Sequence, residues 1–230
     1  MISILIPSRK RPENILRLKT NILDTISSLD NIELCMYIDD DDEESISALE
    51  DISRAISTTA VQGNQILGSQ MYNELFKLAS GDIIMFAADD IIFKTKHWDA
   101  FVETRFELAT EDKILFLFGE DGFQHGRIGT HGFIHRHWVE ILGYVLPPKL
   151  ASAYTDEWIT ELAKRVNRDL YCWDLIIEHL HPAVGKAKND ETYTKRIEVA
   201  GNIQEYYDSL VDDRIADARK LQNFIDLFKK

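Results

Sequence analysis

Residues 82–90 read DIIMFAADD, and this stretch indicates the class of fold. The apolar run Ile83–Phe86 is typical of a strand buried on both faces, as in a parallel sheet. Two adjacent carboxylates, Asp89 and Asp90, follow it. Ligands of open α/β sheets bind beyond the carboxyl ends of the strands, so we expect this pair to border a binding crevice. Carboxylates there can hold Mg²⁺ or Mn²⁺, although an isolated Asp pair is more often a solvated turn.

Outward from this strand, the first half of the chain alternates between apolar runs and helical periodicity. The predicted strands cover residues 2–6, 34–38, 83–86 and 114–118, and the predicted helices begin near Pro12, Ser45, Gly68 and Trp98. Ser45 can cap the second helix through its hydroxyl. Strands and helices in alternation are typical of a doubly wound sheet, so we predict an α/β domain with a mostly parallel sheet.

The second half of the chain is less regular. Glycines punctuate residues 119–132, which predicts loops and short strands. We expect a helix over residues 156–165 and short strands within residues 170–180. The tail, residues 203–228, has an apolar stripe typical of an amphipathic helix or a pair of helices.

The composition is that of an ordinary globular domain. The chain has 230 residues, of which 45% are hydrophobic and 28% are charged. Its net charge of -13 lacks the basic surplus that usually binds a nucleic-acid backbone. Cys35 and Cys172 are far apart and in no CxxC pattern, which argues against a zinc ribbon or a disulfide framework. No apolar run reaches the roughly 20 residues of a membrane helix, so we expect a soluble, cytoplasmic protein.

Two other predicted strand ends carry candidate nucleotide contacts. Asp39 ends the second strand and begins an acidic run, residues 39–44, most of which we expect to be a solvated loop. The Asp39 carboxylate can accept a hydrogen bond from the N–H of a base. The basic loop at residues 7–11 (PSRKR) follows the first strand and can border a nucleotide. The alternative is a basic turn on an acidic surface.

A pair of acids opens the predicted helix over residues 156–165. Asp156 or Glu157 can act as a general base that removes a proton from an acceptor. Alternatively, Thr155 caps the helix and the acids complement its dipole.

A pair of histidines lies near the end of a predicted strand. His179 and His181 alternate, so their side chains should point to the same face. Two histidines on one face beside an acid predict a metal site about as well as they predict a structural pair. We expect the separate His131, His135 and His137 to be structural or to contact substrate rather than to bind metal.

Taken in chain order, these segments resemble a family-two-like GT-A glycosyltransferase. The matching segments are residues 4–9 (ILIPSR), Asp39, Gly68, Asn73, residues 81–82 (GD) and residues 88–90 (ADD) at the family's DxD position. Within residues 154–193, the segments YTDEW, EHLHP, GKA and DETY are similar to small glycosyltransferase-like proteins of bacteriophages.

The resemblance implies a GT-A domain over residues 1–195, with residues 196–230 as a C-terminal helical extension packed on it. It implies metal-dependent transfer of a sugar from a nucleotide diphosphate to a hydroxyl acceptor, by direct inverting displacement. It favours UDP as the nucleotide and Mn²⁺ or Mg²⁺ as the cofactor. If a phage encodes the chain, the location is the host cytoplasm.

The resemblance also implies roles for individual residues. Asp156 is the implied base, and Glu157 is the other candidate because the acid pair is reversed relative to the family's order. Asp90 and His181 are the implied metal ligands, with His179 close behind. The implied nucleotide-sugar contacts are Pro7, Ser8, Arg9, Arg11, Asp39, Gly68, Asn73 and Asp89, the last at the ribose or in the metal shell.

Two other functions compete with this hypothesis. A nucleotidyltransferase can share such a sheet, but its first loop is usually rich in glycine, unlike residues 7–11. A catalytically silent module that binds a glycan or a partner chain predicts no metal-dependent binding of a nucleotide. The acceptor stays open among a modified DNA base, a glycan and a protein, and the tail can pack on the domain or pair with a second subunit as a homodimer.

Overall fold

The computed structural model describes residues 1–186 and 203–229, and these contain one sheet of eight strands. The strands are β1 Ile2–Ser8, β2 Ile32–Asp39, β3 Thr58–Gly63, β4 Ile83–Phe86, β5 Ile91–Phe93, β6 Phe116–Glu120, β7 Gly132–His135 and β8 Asp169–His179. They lie in the order β3-β2-β1-β4-β7-β6-β8-β5.

Helices cover both faces of this sheet. They are α1 Pro12–Thr25, α2 Glu43–Ser53, α3 Gly68–Phe76, α4 Trp98–Glu107, α5 Arg136–Leu142, α6 Thr155–Arg165, α7 Ile203–Ser209 and α8 Val211–Asp226. One apolar core joins the sheet to α1, α2 and α4, and a second joins it to α3, α5, α6, α7 and α8. The strands between these layers are therefore buried on both sides, and every residue of β2 is buried.

The strand directions determine where a site can form. Strands β3, β2, β1 and β4 are parallel, whereas β7 is antiparallel to both β4 and β6. Strand β8 is parallel to β6. The carboxyl ends of β1, β2, β4 and β8 consequently share one edge of the sheet with the start of β7. The predicted α/β class is confirmed, and the antiparallel β7 is the feature that the strand pattern did not predict.

Some elements differ from the prediction for local reasons. Residues 170–179 belong to a single strand, β8, whose first part pairs with β6 and whose last part pairs with β5. The β6–β8 register shifts between Gly119 and Glu120, which allows one strand to serve both neighbours. The prediction that Ser45 caps α2 was wrong: Asp42 precedes the helix, and its Oδ1 accepts a hydrogen bond of 3.1 Å from the Ser45 N–H.

The C-terminal tail forms the predicted pair of helices. Helix α8 packs on α5 and α6, and Arg214 of α8 is buried against the rings of Tyr207 and Trp158. The predicted boundary at residue 195 lies outside the described residues. Both cysteines are free and buried. None of the helices in residues 1–186 and 203–229 combines the length and the apolar character that crossing a membrane requires.

A buried carboxylate joins the strands at the opposite edge of the sheet. Glu33 accepts hydrogen bonds from the Ser3 hydroxyl and the Ser80 N–H, both at 2.6 Å, and from the Gly81 N–H at 3.3 Å. Burial raises the pKa of Glu33, but these hydrogen bonds outweigh it and hold the pKa below its ordinary value of 4.5.

The Glu33 network predicts a pH dependence of stability. Because the folded pKa lies below the unfolded one, the ionised carboxylate stabilises the fold above pH 4.5, and this contribution is lost as the pH falls through the folded value. Glu33→Gln should lower stability at pH 7 and flatten the acid limb of urea unfolding curves measured at several pH values. The exposed Glu50→Gln is the control, and equal acid slopes in the two variants would contradict the assignment.

A second stability prediction concerns Gly119, where β6 lies against β8. A Cβ at this position would meet the backbone oxygen of Leu175 at 2.1 Å, so Gly119→Ala should cost about 3 kcal/mol of unfolding free energy. Gly143 has a φ of +83 but open space around it, so Gly143→Ala should cost only about 1 kcal/mol. Urea unfolding measures both, and a cost for Gly119→Ala no larger than that for Gly143→Ala would contradict the predicted clash.

Candidate active site

A cavity of about 360 Å³ opens at the edge where the strands end. Its wall is built from the ends of β1, β4 and β8, the segment before β7, and the starts of α3 and α6. The sequence-predicted residues in this wall are Pro7, Ser8, Arg9, Arg11, Gly68, Asp89, Asp90, Asp156 and His179. Asp39, Asn73, Glu157 and His181 lie outside it. Six separate segments of the chain therefore converge on one cavity, as the topology requires.

One polar group in this wall consists of Asp90, His131 and His179. One ligand atom from each lies within 4.8 Å of the others, and Asp90 Oδ1 is 3.4 Å from His179 Nε2. Three buried atoms of this group have no hydrogen-bond partner among the described residues: Asp90 Oδ1, His131 Nε2 and His179 Nδ1. A buried polar atom without a partner costs free energy, so the clustering of these orphans fits a site that takes a cation.

The protonation states of this group also suit a cation. Burial raises the pKa of Asp90, but His179 and His131 outweigh it and bring the pKa to about 2. Burial, with a smaller contribution from His179, lowers the pKa of His131 to about 3. The group therefore offers an ionised carboxylate and a neutral imidazole, the forms in which these side chains bind metals.

Glycines explain how His131 reaches the site. A Cβ on Gly129 or Gly132 would lie 2.5 or 2.2 Å from the ring of Phe116, so only glycine allows the segment to lie flat against β6. The Thr130 hydroxyl donates to Asp121 at 2.8 Å and holds the segment in place. We expected His131 to be structural or to contact substrate; the structure places it beside Asp90 and His179, and metal binding by His131 stays a prediction. The flanking glycines were the available signal in the sequence.

His181 has different surroundings from His179. Its Nδ1 accepts a hydrogen bond from the Ala183 N–H at 3.1 Å, and its ring stacks on Phe123 with 4.4 Å between centroids. The ring centroid of His179 lies 4.9 Å away. His131, rather than His181, accompanies His179 beside Asp90, and metal binding by His181 stays a prediction.

Asp89 is a structural hub. Its Oδ2 accepts from the Ser8 hydroxyl at 2.6 Å, and its Oδ1 accepts from Arg11 at 3.1 Å and Asn14 at 3.2 Å. The residue is buried. Internal donors thus occupy both oxygens, and the ribose contact stays a prediction.

Arg9 connects the first loop to the end of β2. Its Nη1 donates to Asp39 Oδ2 and to Asp41 Oδ1, and its Nη2 donates to Asp41 Oδ2 at 3.0 Å. Asp39 is 1% exposed, burial raises its pKa, and its Oδ1 has no hydrogen-bond partner. Arg9 and Arg11 are thus paired with carboxylates, whereas Asp39 keeps one acceptor atom for a donor such as a base N–H.

Gly68 and Asn73 shape the wall opposite these loops. A Cβ on Gly68 would meet the Ala151 oxygen at 3.1 Å, so glycine allows the start of α3 to approach the segment before α6. Asn73 Oδ1 accepts from the Val145 N–H at 2.8 Å, and Nδ2 donates to the Leu146 oxygen at 2.9 Å. Asn73 therefore anchors this segment from behind, and its nucleotide contact stays a prediction.

The two candidate bases occupy different positions at the start of α6. Asp156 lies in the cavity wall and Glu157 lies outside it. The expected Thr155 cap is wrong: Tyr154 is the N-cap residue, in a left-handed conformation with φ of 65, and makes no side-chain cap. The Thr155 hydroxyl instead donates to the Ser152 oxygen at 3.0 Å. The geometry favours Asp156 over Glu157 as the group that can face a substrate.

The Asp89 hub predicts a large loss of stability on neutralisation. Asp89→Asn removes the buried charge that Arg11 and the Ser8 hydroxyl contact, and should cost roughly 3 kcal/mol of unfolding free energy. The half-exposed Lys19–Asp51 pair, at 2.7 Å, provides the matched control, and Asp51→Asn should cost less than about 1 kcal/mol. Urea unfolding measures both, and similar losses would show that Asp89 is not a hub.

No protein-family model matches the sequence, and no curated protein sequence matches it. Among solved structures, the chain is similar to the mannosyltransferase PcManGT from Pyrobaculum calidifontis in complex with GDP-Man and Mn²⁺. The TM-score is 0.66 at 14% identity, over 80% of this chain and 58% of that one.

The chain is also similar to S. aureus TarS, with a TM-score of 0.64 at 13% identity. That match covers 77% of this chain and 36% of TarS. A shorter TarS structure in complex with UDP gives a TM-score of 0.62 at 15% identity, over 77% and 59% of the two chains. The chain thus spans less than two thirds of these neighbours. At such identities the likeness concerns the fold alone, and the chain has the mixed α/β fold of these glycosyltransferases.

Proposed function

We propose that the chain is a metal-dependent glycosyltransferase that moves a sugar from a nucleotide diphosphate to a hydroxyl acceptor. One observation carries this proposal: the wall of a single cavity contains Asp156 together with Asp90, His131 and His179, whose buried polar atoms lack hydrogen-bond partners among the described residues. The fold neighbours support it, because their structures contain GDP-Man with Mn²⁺ or UDP.

The donor half of the site would comprise the metal group in the cavity wall and Asp39, which lies outside that wall at the end of β2. Asp39 Oδ1 accepts an N–H of the base, while Arg9 holds the other oxygen. Asp90 and His179, with His131, would hold Mn²⁺ or Mg²⁺. When bound, the cation neutralises the charge that develops on the leaving diphosphate. UDP is the nucleotide we expect first, from the family resemblance, and uracil carries a ring N–H from which Asp39 can accept a hydrogen bond.

Asp156 would act at the acceptor end. Its carboxylate takes the proton of the acceptor hydroxyl as that oxygen attacks the anomeric carbon. The new glycosidic C–O bond forms as the bond from the anomeric carbon to the diphosphate oxygen breaks. A direct displacement of this kind inverts the anomeric configuration. Positioning of both substrates in one cavity supplies much of the acceleration.

The class of acceptor is a separate part of the proposal. A modified DNA base, a glycan and a protein all offer hydroxyl groups. The net charge of -13 weighs against an acceptor whose binding depends on neutralising many phosphates.

Nucleotide binding tests the donor half of this proposal. Thermal unfolding is measured with UDP, GDP, CDP and TDP, each with and without Mn²⁺. A ligand at 100 times its Kd adds about 2.7 kcal/mol of stability, so a rise of several degrees is expected with UDP and Mn²⁺ together. Asp90→Ala should abolish the rise, whereas Asp174→Ala, an exposed acid outside the cavity, should keep it. A chain that shows no rise with any pair is a silent binding module.

The base assignment has its own test. Asp156→Asn should lower the release of nucleotide diphosphate from the donor by at least about 100-fold, because a general base contributes on the order of 10² to 10⁴. Donor binding in the thermal assay should be unchanged. Glu157→Gln is the adjacent control and should retain most of the rate. Retained turnover in Asp156→Asn would remove this residue from the mechanism.

A further inference from the structure

The group formed by Asp90, His131 and His179 can supply three protein ligands to a cation. It offers two imidazole nitrogens and one carboxylate oxygen from three separate segments, after β4, before β7 and at the end of β8. A cation that relies mainly on phosphate oxygens needs few protein ligands. Three side chains converging on one point can hold a cation by themselves.

The backbone segments that carry the three side chains are held in place by contacts within the protein. Thr130 and the flanking glycines fix the segment of His131. The His179 N–H donates to the Asp121 oxygen at 2.9 Å, and its ring packs edge-on against His131 with 4.5 Å between centroids. The Leu180 N–H donates to the backbone oxygen of Asp90 at 2.9 Å, which ties the residue before β5 to the residue after β8. A metal ion would therefore need to order little of the backbone of this site when it binds.

The donor atoms favour a particular class of ion. Mg²⁺ is a hard cation that prefers oxygen ligands and keeps several waters, whereas imidazole nitrogen suits first-row transition ions. Two histidines and one carboxylate leave coordination positions open for phosphate or water. We propose that His131 completes a two-histidine, one-carboxylate site that binds Mn²⁺ or a later first-row ion before any nucleotide, and in preference to Mg²⁺. The metal site itself does not depend on the proposed function; only the use of the bound ion in sugar transfer rests on it.

A second group of possible ligands provides an internal comparison. Glu120, Asp121 and His125 also lie within reach of one another. Glu120 Oε1 already accepts from the Gly122 N–H and pairs with His125 Nδ1, both at 2.7 Å. Asp121 Oδ1 accepts three backbone N–H groups at 2.8 to 2.9 Å. Protein donors occupy these oxygens, so this group should not compete for the ion.

The test uses the whole chain, free of nucleotide. Mn²⁺ is titrated and the free aqua ion is followed by electron paramagnetic resonance, with Mg²⁺ as competitor. We expect one Mn²⁺ per chain and at least a tenfold preference over Mg²⁺. His131→Asn should weaken Mn²⁺ binding at least tenfold, and His125→Asn should leave it unchanged. Pulsed measurements on bound Mn²⁺ should detect two imidazole nitrogens in the wild type and one in His131→Asn.

Several results would overturn this proposal. They are binding of Mn²⁺ only after UDP is added, equal competition by Mg²⁺, loss of binding in His125→Asn, or an unchanged nitrogen count in a folded His131→Asn variant. Circular dichroism in the near ultraviolet establishes that each variant is folded. If Mn²⁺ binds as expected but no nucleotide does, the metal site stands and the proposed transferase function fails. If UDP and Mn²⁺ bind together equally well in His131→Asn, the transferase stands and the role of His131 fails.

Discussion

The buried carboxylate of Asp89 is the contact on which the site depends. Asp89 lies three residues after the end of β4, and through Ser8, Arg11 and Asn14 its carboxylate binds the end of β1 and the loop and helix that follow. Because Asp90 is the next residue, the same network determines where the metal-facing carboxylate lies. Arg9, in the same loop, reaches in the opposite direction to Asp39 at the end of β2. One short basic loop therefore positions the candidate base-binding acid and the candidate metal-binding acid relative to each other.

The remaining ligands come from the antiparallel part of the sheet. Strand β7 enters beside β4 in the opposite direction, so the residues before it, including His131, lie at the carboxyl edge of the parallel strands. Strand β8 ends at that edge with His179. The far wall depends on α6, which α8 holds through the buried Arg214 and its contact with Trp158. Packing of the tail thus extends to the helix that carries Asp156.

The parts of the fold that could be predicted are those in which one local signal dominates. Buried strands such as β1, β2 and β4 are continuous apolar runs, and their carboxyl ends carry the acids. Strand β3 is partly exposed and polar, and β5 has only three residues, so neither has a pattern that stands out from a loop. The antiparallel direction of β7 depends on its pairing with strands that are distant in the chain, and a local hydrophobic pattern cannot predict that pairing.

The residues of the site also divide into those that the sequence indicated and those that it did not. Sequence indicated Asp90, His179 and Asp156, because each lies at the end of a strand or at the start of a helix. It could not distinguish Asp89 from Asp90, since the difference lies in the donors that surround each carboxylate. It did not indicate His131 as a candidate ligand, because that residue lies 41 positions from Asp90 and comes beside it only through the sheet. Arg9 and Arg11 were expected at the nucleotide, and their pairing with acids became visible only in three dimensions.

The most direct measurement of the central claim is anomalous diffraction at the manganese edge from crystals of the chain grown with Mn²⁺ and UDP. We expect one anomalous peak between Asp90, His131 and His179, with the diphosphate beside it and the base against Asp39. A peak at Glu120 and His125, or a nucleotide bound outside the cavity, would contradict the account.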